Sequence, residues 1–548
     1  MSSTLYRNGV IHSPADPFAE ALLVSDGVIT WLGANDTADG LAANADEVVD
    51  LDGALVAPAF VDAHAHVLET GLALEGLDLT AAAGIHSLAD ALGALSRAAG
   101  ATRAGASGPL LGFGWDEQDW PEGRGPTRTE IDAATGGAPV YLARVDVHSA
   151  IVSSSFADVA GLSAMPGWEP DGRVTGEAHH AARDAAREID PVRRAALYRL
   201  ALGAAAAQGI ASVHEHSAPF VDTREGLRTL LALTAGAEGA LPHVVGYRAE
   251  LCATPDDARE LLAAVPGLTG IGGDLNVDGS LGSRTAALRA PYLDLPAPGA
   301  HTGSLYLSAE QLALHLSAVT RVGVHAGFHV IGDRAMDELL AGLRSAVDVE
   351  GLGAIRGAGH RIEHAEMIDA PTLAALVLLG VRMSVQPAFD AAWGGPGGMY
   401  AARLGAGRAA ALNPLADLAA AGIPLAFGSD SPVTPFDPWA GVRGAVVLHE
   451  ADQRISARAA FRAHTRGGWR LAGLDHTGAG EIRLGAPAHL AVWRADHLVV
   501  QGGAGRVSSW STDARAGTPL LPELGPDAAP PVCLRTLRDG VVIHDALG

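Results

Sequence analysis

Residues 60–66 read FVDAHAH and close an apolar run, ALVAPAFV at 54–61. A continuous apolar run predicts a strand buried on both faces. Side chains alternate along a strand, so Asp62, His64 and His66 share one face. Two imidazoles aimed at one point form a natural pair of metal ligands. The pair alone decides little, because neighbouring histidines are more often solvated or hydrogen-bonded in a core. The weight comes from the later strands.

Eight apolar segments predict strands: 55–66, 209–216, 242–248, 269–277, 323–330, 359–365, 381–386 and 423–429. Ala/Leu/Arg-rich helical stretches lie between them, as at 191–207, 309–322, 334–347 and 370–379. Repeated βα units of this kind predict an α/β protein with a (β/α)8 TIM-like barrel. A doubly wound open sheet is the alternative. Residues at about 80–190 break the repeat and carry their own strands, LLGFGWDE and PVYLARVD, so they read as a large insertion after strand one. Both ends of the chain read as short strands, with Asp-Gly turns at 26–27, 52–53 and 539–540. The expected organisation is therefore a barrel at 57–480 and a small β-sandwich domain built from both termini, 1–56 and 481–548.

Composition narrows the chemistry. All 38 cationic side chains are arginine; the 548 residues include no lysine. Schiff-base catalysis, a pyridoxal lysine and a Walker-type phosphate loop are excluded. The formal net charge is −24 and no basic run occurs, which argues against nucleic acid or an anionic membrane as partner. No apolar stretch is long enough to span a bilayer. The N-terminus, MSSTLYRNGVIHSPADP, lacks the basic and apolar regions of a signal peptide. Cys252 and Cys533 are far apart and in no metal-binding motif. A cytoplasmic location is expected, and enzyme base rates favour a homodimer.

Barrel enzymes work at the C-terminal ends of their strands. Strand one ends in His64 and His66, strand two in His214, Glu215 and His216, and strand five in HVIGD with His329 and Asp333. Strand six ends in RIEHAE with Glu363 and His364, and strand eight in FGSDSP with Asp430. Imidazoles and a carboxylate recurring at one edge suit Zn²⁺, or Fe²⁺, Mn²⁺ or Co²⁺.

This constellation resembles the amidohydrolase superfamily. FVDAHAH, FHVIGDRA, RIEHAE and FGSDSPV are similar to that superfamily's strand-one, strand-five, strand-six and strand-eight motifs. GFGWDEQDW (112–120), ARVDVHSA (143–150), GIASVHE (209–215), DGSLGSRTA (278–286) and Gln386-Pro387 resemble the branch of amidohydrolase family 3 that includes N-substituted formamide deformylase. Many relatives carry a lysine four residues before the Asp-Gly of the DGS motif, carboxylated and bridging two metals. Here that position is Asp274, so no carboxylated lysine is expected. The resemblance then implies one divalent ion, zinc by preference with iron or manganese as alternatives, held by His64, His66, His329 and Asp430. Asp274 and His364 would join if the centre holds two ions.

The resemblance implies an enzyme acting on a small, partly apolar molecule: a hydrolase of a C–N bond in an amide, formamide or cyclic amide. Asp430 would relay the water proton, and His364 or the metal would polarise the carbonyl. Deamination of a nitrogen heterocycle is the alternative; a non-catalytic binding protein on the same fold is a third. Candidate substrate contacts are Trp115, His148, Glu177, His214, Arg284 and Gln386. Four of them have a plainer reading: Trp115 with Trp120 as core, Glu177 as a solvated loop carboxylate, His214 as a hydrogen-bonded strand end, Arg284 as half of an ion pair. Asp333 reads as a helix N-cap, His179 and His180 as surface, and GGPGG (394–398) as a loop over the barrel mouth.

Overall fold

The computed structural model describes residues 2–102, 108–187, 189–236, 240–295, 301–501, 510–511, 519–525 and 527–547. Its centre is a parallel eight-stranded sheet: β1 (Phe60–Ala65), β2 (Ile210–Ser217), β3 (His243–Arg248), β4 (Leu268–Asn276), β5 (His325–Val330), β6 (Arg361–His364), β7 (Arg382–Val385) and β8 (Leu425–Phe427). Strands β1, β2 and β5 are buried at every position, as their apolar sequences require. All eight expected strands are present. One boundary is corrected: 55–66 is two strands, because Leu55–Pro58 pairs with Leu490–Arg494 of another sheet and only Phe60 onward enters the barrel.

The sheet curls until β8 meets β1. The Asp430 amide donates to the His64 carbonyl at 2.7 Å, and the His66 amide to the Ser431 carbonyl at 2.9 Å. The carboxylate of Asp62 accepts from the amides of His64 (3.1 Å) and Ser429 (3.0 Å), pinning both strands. Gly428 permits this approach: a Cβ there would lie 2.5 Å from the His64 nitrogen.

The crossover helices begin where their caps predict. Asp190 caps Pro191–Ala207 with proline in the first turn, and Ser308 with Gln311 forms a capping box on Ala309–Arg321. The helix at Asp333–Glu350 differs, since its N-cap is Gly332 and not Asp333. Asp278 acts there instead: its carboxylate accepts from the amides of Ala287 (2.9 Å), Ile331 (3.0 Å) and Gly332 (2.8 Å).

Among the described residues four further sheets accompany the barrel, the smallest being the three strands Trp510–Ser511, Leu498–Gln501 and Leu521–Pro522. One five-stranded sheet draws on both ends of the chain: Val10–Ile11, Leu55–Pro58, Leu490–Arg494, Val532–Arg538 and Val541–Asp545. A four-stranded sheet lies wholly in the first fifty residues. The three Asp-Gly pairs have positive φ at both residues, the geometry of tight hairpin turns. Trp493 carries the first of these sheets onto the barrel floor, its ring edge-on to Phe60 at 5.7 Å and to Trp439 at 5.5 Å.

The insertion builds its own five-stranded sheet, ordered Arg173–Thr175, Ser149–Val152, Val140–Arg144, Leu110–Trp115, Leu77–Asp78. It is clamped to the barrel by charge. Glu69, on the helix directly after β1, is fully buried between Arg183 and Arg187 of the insertion. Burial alone would raise this carboxyl, but the two guanidiniums outweigh it and hold it at about 2.

Removing one partner from such a group strands the others. Glu69→Gln is expected to cost about 3–5 kcal/mol at neutral pH. The folded pKa of Glu69 is depressed, so its contribution is full above pH 4.5 and lost as pH falls towards about 2. Denaturant unfolding across that range should show a shallower acid limb in the variant; identical limbs would contradict the clamp.

Candidate metal centre

Four imidazoles meet at the C-terminal mouth of the barrel, and the outward nitrogen of each is engaged. His64 Nδ1 bonds to Glu363 Oε2 at 2.8 Å, His66 Nδ1 to the His216 carbonyl at 2.9 Å, and His364 Nδ1 to Gln386 Oε1 at 2.9 Å. His329 is turned over, with Nε2 on the Gly279 carbonyl at 3.2 Å. Carbonyl and carboxylate oxygens only accept, so each outward nitrogen carries the proton. In the neutral ring the inward nitrogen is then a bare lone pair, the form a metal requires. His64 Nε2 is fully buried with no hydrogen-bond partner.

Two carboxylates complete the donor set. Asp430 Oδ1 lies 3.3 Å from both His64 Nε2 and His66 Nε2. Asp274 Oδ1 lies 3.2 Å from His329 Nδ1 and 3.6 Å from His364 Nε2, while its Oδ2 is 3.8 Å from His66 Nε2. Donors about 2 Å from a tetrahedral zinc ion stand about 3.3 Å from one another. Asp430 is so spaced from His64 and His66, and groups of donors close enough to share an ion are His64 and His66 with Asp274, His64 and His364 with Asp430, and His329 and His364 with Asp274. His329 therefore converges with Asp274 and His364 rather than with the strand-one pair.

The backbone is shaped to deliver these groups. β4 shifts register between Ile271 and Leu275. Gly272 (φ +114) and Gly273 (φ +76) make that bulge, and a Cβ on Gly273 would strike Tyr247 Cβ at 2.6 Å and His216 Nδ1 at 2.7 Å. His364 (φ 70) and Asp430 (φ 56) occupy the left-handed region, which costs side-chain-bearing residues free energy and marks functional sites.

Charge is balanced within the cluster. Burial alone would lower the three imidazoles His64, His66 and His329, but the neighbouring carboxylates outweigh it; His64 and His66 are raised, and His329 reaches about 9. Asp430 and Asp274 are held well below the usual carboxylate range, the imidazoles overcoming their burial. His148 goes the other way, lowered to about 3 by burial and by His329, whose ring centre is 5.1 Å away. Without metal, the His329–Asp274 pair stabilises the fold below pH 6.5, and that contribution is lost as pH rises through about 9.

Beneath the ligands lies a layer the sequence pattern does not assign. Glu363 grips His64 and is itself held by Arg361, which donates from Nη2 to Oε2 at 3.0 Å and rests on the Tyr247 ring at 4.7 Å. Glu215 accepts from the Val67 amide at 2.6 Å, fixing the helix after β1. The only signal for Glu363 is its place beside His364 in RIEHAE.

The expected substrate contacts divide. His148 lines the cavity beside the ligands, together with His329, His364 and Asp430. Trp115 does not: it is buried in the insertion core with Trp120, its Nε1 donating to the Leu142 carbonyl at 3.1 Å. Arg284 is closed off by a two-pronged bond to Asp294 at 2.8–3.2 Å. Gln386 positions His364, and His214 sits below the ligands with Nδ1 against Arg361 at 3.1 Å. Glu177 is exposed in the first turn of Gly176–Ala186 and does not line the cavity, as its plainer reading expects. His179 is buried, not on the surface, and bonds to the Tyr141 hydroxyl at 3.0 Å. Residues 394–398 connect the short helices Pro387–Trp393 and Met399–Leu404, which both contribute to the cavity wall.

A sequence model of the amidohydrolase family matches residues 47–544, and the chain belongs to that family. Among its relatives, Protein LONG AFTER FAR-RED 3 of Arabidopsis thaliana is 27% identical over 512 residues, spanning 87% of this chain and 84% of the other. N-substituted formamide deformylase of Arthrobacter pascens is 23% identical over 514 residues, spanning 87% and 90%. The crystal structure of an uncharacterized metal-dependent hydrolase from Pyrococcus furiosus shares the fold with a TM-score of 0.68 at 27% identity, covering 89% of this chain and 98% of that one.

Two outcomes are expected of the centre. Glu363→Gln should weaken metal affinity by about 10–100-fold, measured by competition with a chelator, because it loosens His64. Metal uptake should release protons from the raised imidazoles, so affinity falls about tenfold for each pH unit the solution is lowered, per proton displaced. Calorimetry in buffers of different ionisation enthalpy measures that release, and none at neutral pH would contradict the protonation described.

Proposed function

We propose that the chain is a metal-dependent hydrolase that cleaves an amide-type C–N bond in a small, partly apolar molecule. The observation that carries this reading is the convergence of four inward-facing imidazole nitrogens on Asp274 and Asp430. Family membership supports the reaction class, and the metal-dependent hydrolase from Pyrococcus furiosus supports the metal. Two ions fit the donors better than one. His64, His66 and Asp430 would hold the first, His329 and His364 the second, with Asp274 offering an oxygen to each. Zinc suits the nitrogen and oxygen donors best; iron and manganese suit them as well.

A divalent ion bound here supplies Lewis acidity, lowering the pKa of water and polarising a carbonyl. The remaining work falls to side chains. Asp430 faces the cavity and is ionised, so its free oxygen accepts the proton of the attacking water. The same carboxyl then delivers that proton to the leaving nitrogen as the C–N bond breaks, giving an amine and a carboxylic acid. His148 stays neutral and can donate one N–H to the substrate oxygen as charge develops there. His364 takes a different role from the one its motif suggests. With its proton held towards Gln386 it has none to offer a carbonyl, and it serves as a ligand. The shared Asp274 favours hydrolysis over heterocycle deamination, for which one ion would suffice.

The test is a panel of N-alkylformamides, acyl amides, cyclic amides and amino-heterocycles, given to metal-loaded protein. Equimolar amine and carboxylate or formate should appear, and Asp430→Asn should lower kcat by at least about 100-fold at saturating metal. Release of ammonia from heterocycles alone would favour deamination. No turnover of any member by fully loaded protein would overturn the proposal.

A further inference from the structure

The cavity beside the metal centre has one wall of unusual composition. Phe389 stacks on the ligand His364 with ring centres 6.1 Å apart. Trp393 meets Phe389 edge-on at 5.0 Å, and Tyr400 meets Trp393 at 6.5 Å. The same cavity is lined by the carboxyl group of Glu366. It is only 3% exposed, and its Oε2 is buried with no hydrogen-bond partner. The Tyr400 hydroxyl is within reach of the same carboxyl group, so one partner is present and another is missing. An unsatisfied buried carboxylate oxygen is costly and calls for an explanation.

No neighbouring side chain supplies the missing donor. Among the described residues, no arginine or histidine lies within ion-pairing distance of Glu366. The arginines nearby are committed elsewhere. Arg144, on the same cavity, is surrounded by Asp116 (2.8 Å), Glu117 (2.8 Å) and Asp146 (3.1 Å). Arg403 is held by Asp294 and by Glu117. The cavity walls therefore offer no unpaired guanidinium to a substrate carboxylate, but they do offer an unpaired acceptor in a wall shared with aromatic side chains. That combination recognises a positively charged nitrogen: the oxygen takes an N–H, and the ring faces attract the charge.

We infer that Glu366 and the Phe389–Trp393–Tyr400 wall bind a protonated amine, so that the preferred substrates are small amides carrying an ammonium group away from the scissile bond. Only the amide part of that statement rests on the hydrolase reading above; the ammonium subsite stands on its own geometry. Glu366 is a specificity residue and takes no part in bond cleavage.

The test uses metal-loaded full-length protein at mildly alkaline pH. Calorimetry compares benzylammonium with benzyl alcohol, a neutral analogue of the same shape, and neither contains a bond to hydrolyse. The wild type should bind benzylammonium about 10–100-fold more tightly than the alcohol. In Glu366→Gln that ratio should collapse to near one, and Trp393→Leu should weaken the ammonium more than the alcohol. Direct ligation of a metal by the amine would survive both substitutions, and so would overturn the inference, as would equal binding of the two ligands by the wild type. If Glu366→Gln fails to fold, the wild-type ratio and Trp393→Leu still decide. Formanilides bearing para-aminomethyl, para-hydroxymethyl or para-carboxyl groups separate this inference from the hydrolase reading. Ammonium binding with no turnover would remove the hydrolase and keep the subsite. Turnover that favours the hydroxymethyl or carboxyl compound would do the reverse.

Discussion

The barrel mouth is organised around one partly buried carboxylate. Asp274 stands within 4 Å of all four inward-facing imidazole nitrogens, at 3.2 Å from His329, 3.6 Å from His364, 3.8 Å from His66 and 3.9 Å from His64. Four imidazoles cannot crowd together unless a metal takes their lone pairs or anions balance their protons, and without metal Asp274 and Asp430 do the latter. Other features serve the same need. The Gly272–Gly273 bulge exists where β4 must swing a short side chain into the centre. The Glu363–Arg361 pair exists beneath it to keep His64 from turning away. A chain without lysine has no carbamate to put at this position, and a directly encoded carboxylate needs neither carbon dioxide nor a modification step.

The frame around the cluster is rigid for identifiable reasons. β1 and β8 are joined by backbone bonds at the two ligand-bearing ends and by Asp62 just below them. The insertion, which contributes His148, is held to the first helix of the barrel through the buried Glu69 triad. Candidate ligands on strands and the candidate substrate contact His148 on a clamped insertion place both parts of the cavity on fixed supports.

Much of this is legible in the sequence. The eight barrel strands announce themselves as apolar runs, and residues at or just past their ends supply the ligands proposed except Asp274, which stands out only by its match to the family's lysine position. The helices at 191–207 and 370–379 have the expected bounds because their N-caps and flanking Pro and Gly are local signals. What is not legible depends on distance in space. FVDAHAH cannot reveal that Leu55–Pro58 leaves for another sheet, because both strands are equally apolar. Trp115 and Arg284 look available until Leu142 and Asp294 are seen beside them. The ring flip that turns His329 Nδ1 inward depends on the Gly279 carbonyl, a backbone group that no side-chain pattern encodes. Glu366 carries no signal beyond its closeness to His364, because an empty acceptor becomes visible only when its neighbours are known.

The central claim is that Asp274 joins two metal positions. Elemental mass spectrometry of purified, fully loaded protein beside Asp274→Asn tests it most directly, with circular dichroism to confirm that both are folded. The account predicts two equivalents of divalent metal in the wild type and at most one in the variant. Equal metal content in the two proteins, or no metal retained after loading with zinc, iron or manganese, would contradict it.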